Sequence, residues 1–173
     1  MSGDLNFFRK IPEMLIRPAD AADLPAIERI VRDAYTKYTA RIGKPPGPML
    51  DDYRARVRAH EAWVLEQAGV IAGAIVLLAG NDNLLLDNVA VDPGQAGRGL
   101  GRALMEFAEV ETRRRGYDEI RLYTHEKMTE NIAMYRHLGW QENRPRRAIR
   151  LQPRLLPQAA YLTAATRHNA AQT

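Results

Sequence analysis

The sequence predicts a single α/β domain that contains an antiparallel hairpin. Apolar residues recur at helical spacing over residues 24–34 and 100–110, which indicates two amphipathic helices. Residues 62–66 and 70–79 are apolar runs of strand length, and the short glycine-containing segment between them is typical of a hairpin. With 173 residues, the chain can bury one sizeable core without disulfides or metals.

The first half of the chain begins with a strand predicted over residues 14–17. Asp20 or Asp23 is the expected N-cap of the helix that follows, because a short acidic side chain accepts hydrogen bonds from free N–H groups. Residues 38–48 contain glycines and three prolines without a steady period, and they predict a loop. A short helix is expected over residues 49–58, ahead of the hairpin.

The second half of the chain alternates strands and helices. Residues 84–91 form a third apolar run of strand length. The helix that follows is expected to stop at Gly116, since glycine is favoured just beyond a helix end. A strand over residues 119–124 then leads to a short helix capped by Thr129. The order β-α-α-β-β-β-α-β-α contains no repeat and no linker, so we expect one domain over residues 1–173.

The composition narrows the possible chemistry. The sequence contains no cysteine, which excludes disulfides, thiolate metal ligands and a cysteine nucleophile, and we expect no metal site. The apolar runs are shorter than the roughly 20 residues that span a bilayer, and the N-terminal residues lack the pattern of a secretory signal. We therefore expect a soluble cytoplasmic protein without membrane contact. The net charge of +4 bears on solubility and on loose electrostatic attraction, and it does not indicate a particular reaction.

A glycine-rich turn follows the third apolar run. Residues 89–101, VAVDPGQAGRGLG, lead from the strand through this turn into a helix. Gly97, Gly99 and Gly101 permit a ligand to approach the backbone closely, and N–H groups at a helix start attract phosphate oxygens. The same glycines would equally serve a turn that only packs a strand against a helix. The segment matches neither the dinucleotide fingerprint nor the nucleotide P-loop.

The turn resembles the acyl-CoA signature of the GNAT acetyltransferase superfamily. In that signature a valine-rich strand and a proline precede [Q/R]-x-x-G-x-[G/A], which opens a helix. When the sequence is aligned on Gly99 and Gly101, Ala96 occupies the first motif position and Gln95 is displaced by one residue. Backbone donors could bind a pyrophosphate despite this departure.

A second segment, residues 129–140 (TENIAMYRHLGW), resembles the N-I-x-x-Y-x-x-x-G-[F/W/Y] helix of the same superfamily. Asn131 and Tyr135 are four residues apart and therefore share a helix face. Taken singly, they would also suit a first-turn polar group and a packed core ring. The two motifs and the element order extend the resemblance over residues 15–140, and the chain is identified as a member of the superfamily.

The resemblance implies a mixed, mostly antiparallel central sheet flanked by helices, and acetyl-CoA as the cosubstrate. The strand before the glycine turn would be bulged and splayed from its neighbour, which leaves a cofactor cleft. Its backbone N–H groups would hold pantetheine and polarise the acetyl carbonyl. The implied cofactor-binding residues are Val89, Ala90, Val91, Ala96, Gly97, Arg98, Gly99, Leu100, Gly101, Arg102, Asn131 and Tyr135.

The implied activity is transfer of the acetyl group to a primary amine by direct attack within a ternary complex. Neither a cysteine nor a Gly-x-Ser-x-Gly elbow indicates an acyl-enzyme. Tyr135 is the implied general acid. Asp87 and His125 are the candidate bases, although Asp87 could instead bind neighbouring backbone and His125 could be a solvated residue at a strand end.

The motifs do not specify the acceptor, since acceptor pockets come from loops. Residues 35–48 are expected to form part of the acceptor wall, where Tyr35, Tyr38 and Arg41 would contact the substrate. Loop tyrosines also commonly cover apolar surface. A small amine, an amino acid and a peptide amine are all compatible with the sequence.

Two other functions compete with this one. Ala96 would suit a non-catalytic acyl-CoA-binding or regulatory module, but Tyr135 argues against it, since a binder needs no proton donor. Residues 144–154 are rich in arginine, yet no aromatic residue lies between them to stack on bases, which argues against nucleic acid. Residues 143–173 depart from the family pattern. The final strand is therefore expected to be short, irregular or supplied by a partner chain, as in a homodimer.

Overall fold

The computed structural model describes residues 14–142 and 159–165. Within these residues the α-helices are α1 (Leu24–Ile42), α2 (Tyr53–Arg58), α3 (Leu100–Arg114) and α4 (Thr129–His137). The strands are β1 (Met14–Pro18), β2 (Ala62–Gln67), β3 (Val70–Ala79), β4 (Leu84–Val91), β5 (Glu119–His125), β6 (Gln141–Glu142) and β7 (Ala159–Ala165). They form one sheet in the order β1-β2-β3-β4-β5-β7-β6.

The sheet is mixed and mostly antiparallel, which confirms the predicted class. Strands β1 to β4 pair antiparallel with their neighbours, and β2 and β3 form the predicted hairpin. Strands β4 and β5 are parallel, because α3 crosses over between them.

The C-terminal part of the chain supplies its own strand. Strand β7 pairs antiparallel with β5 along all of β5, so the backbone of β5 does not form an open edge. The expectation of a short, irregular or partner-supplied final strand is therefore wrong. Residues 144–154, on which the nucleic-acid alternative was based, lie outside the described residues.

Helices cover both faces of the sheet. On one face, α3 places Leu100, Leu104 and Ala108, which recur every four residues, against the apolar side chains of β3, β4 and β5. On the other face, α1 and α2 cover a second apolar cluster that includes Ile27 and Tyr53. The sheet is thus buried on both sides, and α3 holds the glycine turn at the end of β4.

Strand β4 contains a bulge at Asp87. Val76 of β3 lies opposite Asn88, but the next residue, Leu77, lies opposite Leu86, so Asp87 is an extra residue. Side chains alternate between the faces of a sheet, and one extra residue reverses that alternation. Leu86 accordingly packs on the α3 face, whereas Asn88 reaches the α1 face.

Strands β4 and β5 separate beyond the bulge. Their pairing ends where Leu86 lies opposite Leu122. Beyond this point β4 stays paired with β3 as far as Val91, and β5 stays paired with β7 as far as His125. Each strand follows its other neighbour, so a cleft opens between them, as the resemblance implied.

Helix α1 is longer than predicted. It continues to Ile42 and ends at Gly43, so residues 38–42, which were expected to be in a loop, are helical. Tyr35 and Tyr38 are buried and continue the apolar face of the helix. The prolines that follow restrict the chain only close to their own positions.

Two further helix starts differ from the prediction. The segment expected as one helix over residues 49–58 forms a 3₁₀ turn at Gly47–Leu50 and then α2. Helix α4 includes Thr129 as its first residue, and the Thr129 hydroxyl donates to Glu130 instead of capping the helix. No helix in the described parts of the chain is long and apolar enough to cross a membrane.

Candidate active site

The cleft between β4 and β5 opens into a cavity of about 590 Å³. Its walls come from the bulged end of β4, the end of β5, helix α4 and the segment of residues 44–51 between α1 and α2. Asp87, His125, Asn131 and Tyr135 all line it. The fold therefore brings together the predicted acid, both candidate bases and the predicted pantetheine contact.

Alternate N–H groups of β4 point into the cleft. The Asp92 N–H donates to the Ala72 carbonyl at 2.9 Å, which makes these two facing residues a hydrogen-bonded pair. Such pairs alternate along antiparallel strands, so the N–H groups of Val89 and Val91 point away from β3. The N–H of Ala90 is directed to β3. Of the three residues predicted to hold pantetheine, only Val89 and Val91 thus offer backbone donors to the cleft.

The glycine turn leads into α3 through a 3₁₀ turn at Pro93–Gln95. Gly97 and Gly99 both have φ of 78°, and among the described residues beyond their chain neighbours no atom lies within 4 Å of the position that a Cβ would take at either. Helix α3 starts at Leu100 without a side-chain cap, so its first N–H groups have no intrahelical acceptor. Open space over a helix N-terminus suits anionic oxygens.

The side chains of the turn differ in their availability. Arg98 is exposed and forms no ion pair within residues 14–142, whereas Arg102 pairs with Glu106 at 2.9 Å. The Oε1 atom of Gln95 is buried and accepts no hydrogen bond from any described residue. Ala96, at the first motif position, has no polar side-chain atom. Arg98 is therefore the cation of this turn that is available to an anionic ligand.

Asn131 and Tyr135 share a face of α4, as predicted, and α1 fixes that helix. The Tyr38 hydroxyl donates to Asn131 Oδ1 at 3.0 Å, which orients the amide and keeps its NH2 group as a donor. Arg41 pairs with Glu130 at 2.7 Å. Tyr38 and Arg41 do not line the cavity, so the structure does not support their predicted role as acceptor contacts.

Tyr135 presents a buried phenol to the cavity. Its side chain is 4% exposed, and its ring lies 6.1 Å from that of Trp140. Burial raises the pKa of the hydroxyl above its ordinary value of 10, and the neighbouring Tyr38 has a smaller effect in the same direction. The hydroxyl is therefore protonated throughout the neutral pH range.

The two candidate bases differ in their surroundings. Burial raises the pKa of the Asp87 carboxyl, and nearby Asp51 raises it further. No hydrogen bond to this carboxylate is found among the described residues, so the alternative that it binds neighbouring backbone is not supported. His125 Nδ1 accepts the Lys127 N–H at 3.1 Å, so a neutral ring carries its proton on Nε2, which then donates. Nδ1 of His125 is thus already used as an acceptor, whereas the Asp87 carboxylate has no such partner among the described residues.

Buried hydrogen bonds connect the bulge with α1 and α2. The Tyr35 hydroxyl donates to Asn88 Oδ1 at 2.8 Å. The Asn88 NH2 group donates to the Tyr53 hydroxyl at 2.9 Å, and that hydroxyl donates to the Pro48 carbonyl at 2.7 Å. This chain of bonds holds the Pro48 segment, one wall of the cavity, against β4.

The sequence analysis missed Asn88, which lines the cavity, and Tyr53, which supports the Pro48 wall from outside it. Asn88 is the single amide in the apolar run of residues 84–91. A buried amide needs hydrogen-bond partners, so its position in this run was a signal that polar residues from elsewhere in the chain contact it. Tyr35 lines the cavity, as predicted for an acceptor contact, but its hydroxyl is bonded to Asn88.

A family model for the acetyltransferase (GNAT) family matches residues 24–140. This span is more than half of the chain and contains the cleft, the glycine turn and α4. The chain belongs to the GNAT family. Membership makes it an acyltransferase that uses acetyl-CoA as the acyl donor.

The chain is also similar to individual members of the family. It is 29% identical to the N-acetyltransferase YjgM of Escherichia coli K12 over 136 residues, which are 73% of this chain and 81% of that protein. It is 36% identical to the ribosomal protein bS18-alanine N-acetyltransferase of the same strain over 83 residues, 48% of this chain and 56% of that protein. Among solved structures, YncA of Salmonella typhimurium with acetyl-CoA has a TM-score of 0.63 at 22% identity, with 93% of this chain and 98% of that chain covered.

Replacing Tyr53 with Phe leaves the Asn88 NH2 group without its acceptor and Pro48 without its donor. A buried donor without a partner costs about 1–3 kcal/mol, so we expect the free energy of unfolding in urea to fall by that amount. Tyr117→Phe is the matched control, because the Tyr117 hydroxyl donates to the Gly80 carbonyl at an exposed site, where water can replace it. Equal losses in the two variants would contradict the structural role given to Tyr53.

Proposed function

We propose that the protein transfers the acetyl group of acetyl-CoA directly to a primary amine, with both substrates bound in the cavity. Acetyl-CoA supplies an acetyl thioester, whose carbon–sulfur bond breaks as the amine nitrogen forms its bond to the acetyl carbon. The observation that carries the proposal is the meeting of Tyr135 and Asp87 in one cavity beside the free N–H groups of β4. The hydrogen-bond donor for the sulfur, the proton acceptor for the amine and the N–H groups that bind the acetyl carbonyl then all act within this cavity.

The described residues fit an acyl-CoA in three ways. The open space over Gly97 and Gly99 and the uncapped start of α3 suit a pyrophosphate, and Arg98 adds a positive charge. The Asn131 NH2 group is kept as a donor by Tyr38 and suits an amide carbonyl. The N–H groups of Val89 and Val91 suit the pantetheine chain and the acetyl oxygen.

Tyr135 stabilises the negative charge that develops on the departing sulfur. A phenol with a pKa above 10 is a weaker acid than a thiol near 8.5, so complete transfer is uphill by more than about 2 kcal/mol. The hydroxyl acts by donating a hydrogen bond that strengthens as charge develops on the sulfur. Such a bond stabilises the transition state more than the bound substrates.

Asp87 accepts the proton that the amine loses. An amine with a pKa near 10.4 must spend roughly 4–5 kcal/mol to be neutral at pH 7, so a nearby acceptor matters. Because burial raises the pKa of Asp87, its carboxylate is a stronger base than an exposed one. Since the carboxylate form is needed, kcat/KM falls as the pH decreases through this raised pKa.

A non-catalytic acyl-CoA-binding module is the second candidate, and Ala96 at the first motif position favours it. A protein that only binds acyl-CoA needs neither a buried phenol nor an unpaired carboxylate in the cleft, and the described residues place both there. Because one relative is a ribosomal protein bS18-alanine N-acetyltransferase, peptides with a free terminal amine are included among the acceptors to be tested.

The test of this function is an amine screen with acetyl-CoA and detection of the released thiol. Small alkylamines, amino acids and peptides with free α-amines should be compared. Release of thiol that depends on an added amine supports the acetyltransferase. Binding of acetyl-CoA without turnover of any amine would favour the binding module.

Tyr135→Phe should reduce kcat by about 10²- to 10⁴-fold with any acceptor that the screen finds, while acetyl-CoA affinity changes little. The change keeps the buried ring and removes only the hydroxyl, so the loss falls on the transition state. Steady-state kinetics and calorimetric titration measure the two quantities. A kcat within a few-fold of the wild-type value would show that the ring only packs.

Gly99→Ala should weaken acetyl-CoA binding at least tenfold, because the added methyl group fills the space over the backbone. Gly116→Ala is the matched control at the other end of α3, with φ of 79° and equally empty surroundings. An alanine in this conformation costs about 1–2 kcal/mol, so both variants should have similarly lowered Tm values. Equal acetyl-CoA affinities in the two variants would contradict the role of the turn.

A further inference from the structure

The cavity extends beyond the cleft to an apolar wall. Pro46 and Pro48 line it there, together with Leu50, which ends the 3₁₀ turn before α2. The Leu50 side chain is 73% exposed. An apolar side chain at a cavity mouth contributes most to the binding free energy when an apolar ligand removes it from water.

The charged groups at this end of the cavity are largely paired with one another. Arg56 binds Asp51 at 2.9 Å and Glu61 at 3.1 Å, so the cation is shared between two carboxylates. Lys44 lies at the exposed rim. Asp87 is the carboxylate of the cavity that lacks an ion pair among the described residues, and the proposed mechanism assigns it to the reacting amine.

The apolar wall is also held in place before any acceptor binds. The Tyr53 hydroxyl bonds the Pro48 carbonyl and is itself bonded by Asn88. Proline residues have a fixed φ, so this segment has little backbone freedom to lose. A wall that is already ordered adds to binding without an ordering cost.

We infer that the acceptor is a primary amine with an apolar body and no second ammonium group. Its nitrogen lies at Asp87, and its body lies against Pro46, Pro48 and Leu50. A second ammonium group placed against this wall would lose water without gaining an unpaired carboxylate. This inference rests on the proposed acetyltransferase function.

The experiment compares ethylamine, propylamine, butylamine, pentylamine and 1,5-diaminopentane at saturating acetyl-CoA. All are primary alkylamines, so the cost of deprotonation is nearly constant across the series. We expect kcat/KM to increase by about fourfold for each added methylene group that is buried. Pentylamine should exceed 1,5-diaminopentane by at least tenfold, although the two have the same chain length.

The variant Leu50→Ser tests whether the acceptor body lies against the proposed apolar wall. It should lower kcat/KM for pentylamine by about fivefold, leave ethylamine within twofold and leave the KM for acetyl-CoA unchanged. Leu15→Ser on β1 is the matched control, since Leu15 is 53% exposed and lies outside the cavity. It should change none of these values.

The outcomes separate the two proposals. Turnover that is flat across the series, or highest with the diamine, overturns the apolar acceptor and leaves the acetyltransferase standing. A rise with chain length that Leu50→Ser leaves unchanged overturns the placement of the acceptor body. No turnover of any amine in this series or in the wider screen overturns the proposed function and this inference together.

Discussion

The site depends on one extra residue in β4. Asp87 interrupts the pairing with β3, and from this point the strand also leaves β5. Without the bulge, β4 and β5 could continue as an ordinary parallel pair, and the N–H groups of Val89 and Val91 would be used within the sheet. The bulge therefore provides both an opening between the strands and backbone donors on its edge.

The same residue determines which side chains face the acceptor region. Because the bulge reverses the alternation, Asn88 is turned from the α3 face to the α1 face. Burying an amide there is tolerated because Tyr35 and Tyr53 satisfy it. These bonds connect the chemistry of the cleft with the Pro48 wall, so the backbone irregularity and the acceptor region are one structural unit.

Local sequence signals were sufficient for much of the fold. The hairpin, β4 and the crossover helix α3 follow from apolar periodicity and glycine, and the predicted strand over residues 84–91 matches β4. The length of α1 was missed because the prolines near its end outweighed the periodic Tyr35 and Tyr38. These two tyrosines continue the buried face of the helix, so their spacing indicates that the helix extends beyond residue 34.

The candidate site was less predictable, because its key contacts are distant in sequence. Tyr38 and Asn131 are brought together by α1 and α4, and Tyr53 and Asn88 by the packing of α2 on the sheet. No spacing rule along the chain reveals such pairs. Motifs identified Asn131 and Tyr135, whereas the roles of Tyr38 and Asn88 depend on tertiary packing.

Amide hydrogen exchange, measured by NMR with and without coenzyme A, tests whether the edge of β4 binds the acyl donor. The N–H groups of Val89 and Val91 should exchange at least tenfold more slowly when coenzyme A is bound, because the ligand replaces water as their acceptor. The N–H of Ala90, which faces β3, should change little. Unchanged exchange at Val89 and Val91 under saturating coenzyme A would mean that this edge of β4 does not bind the donor.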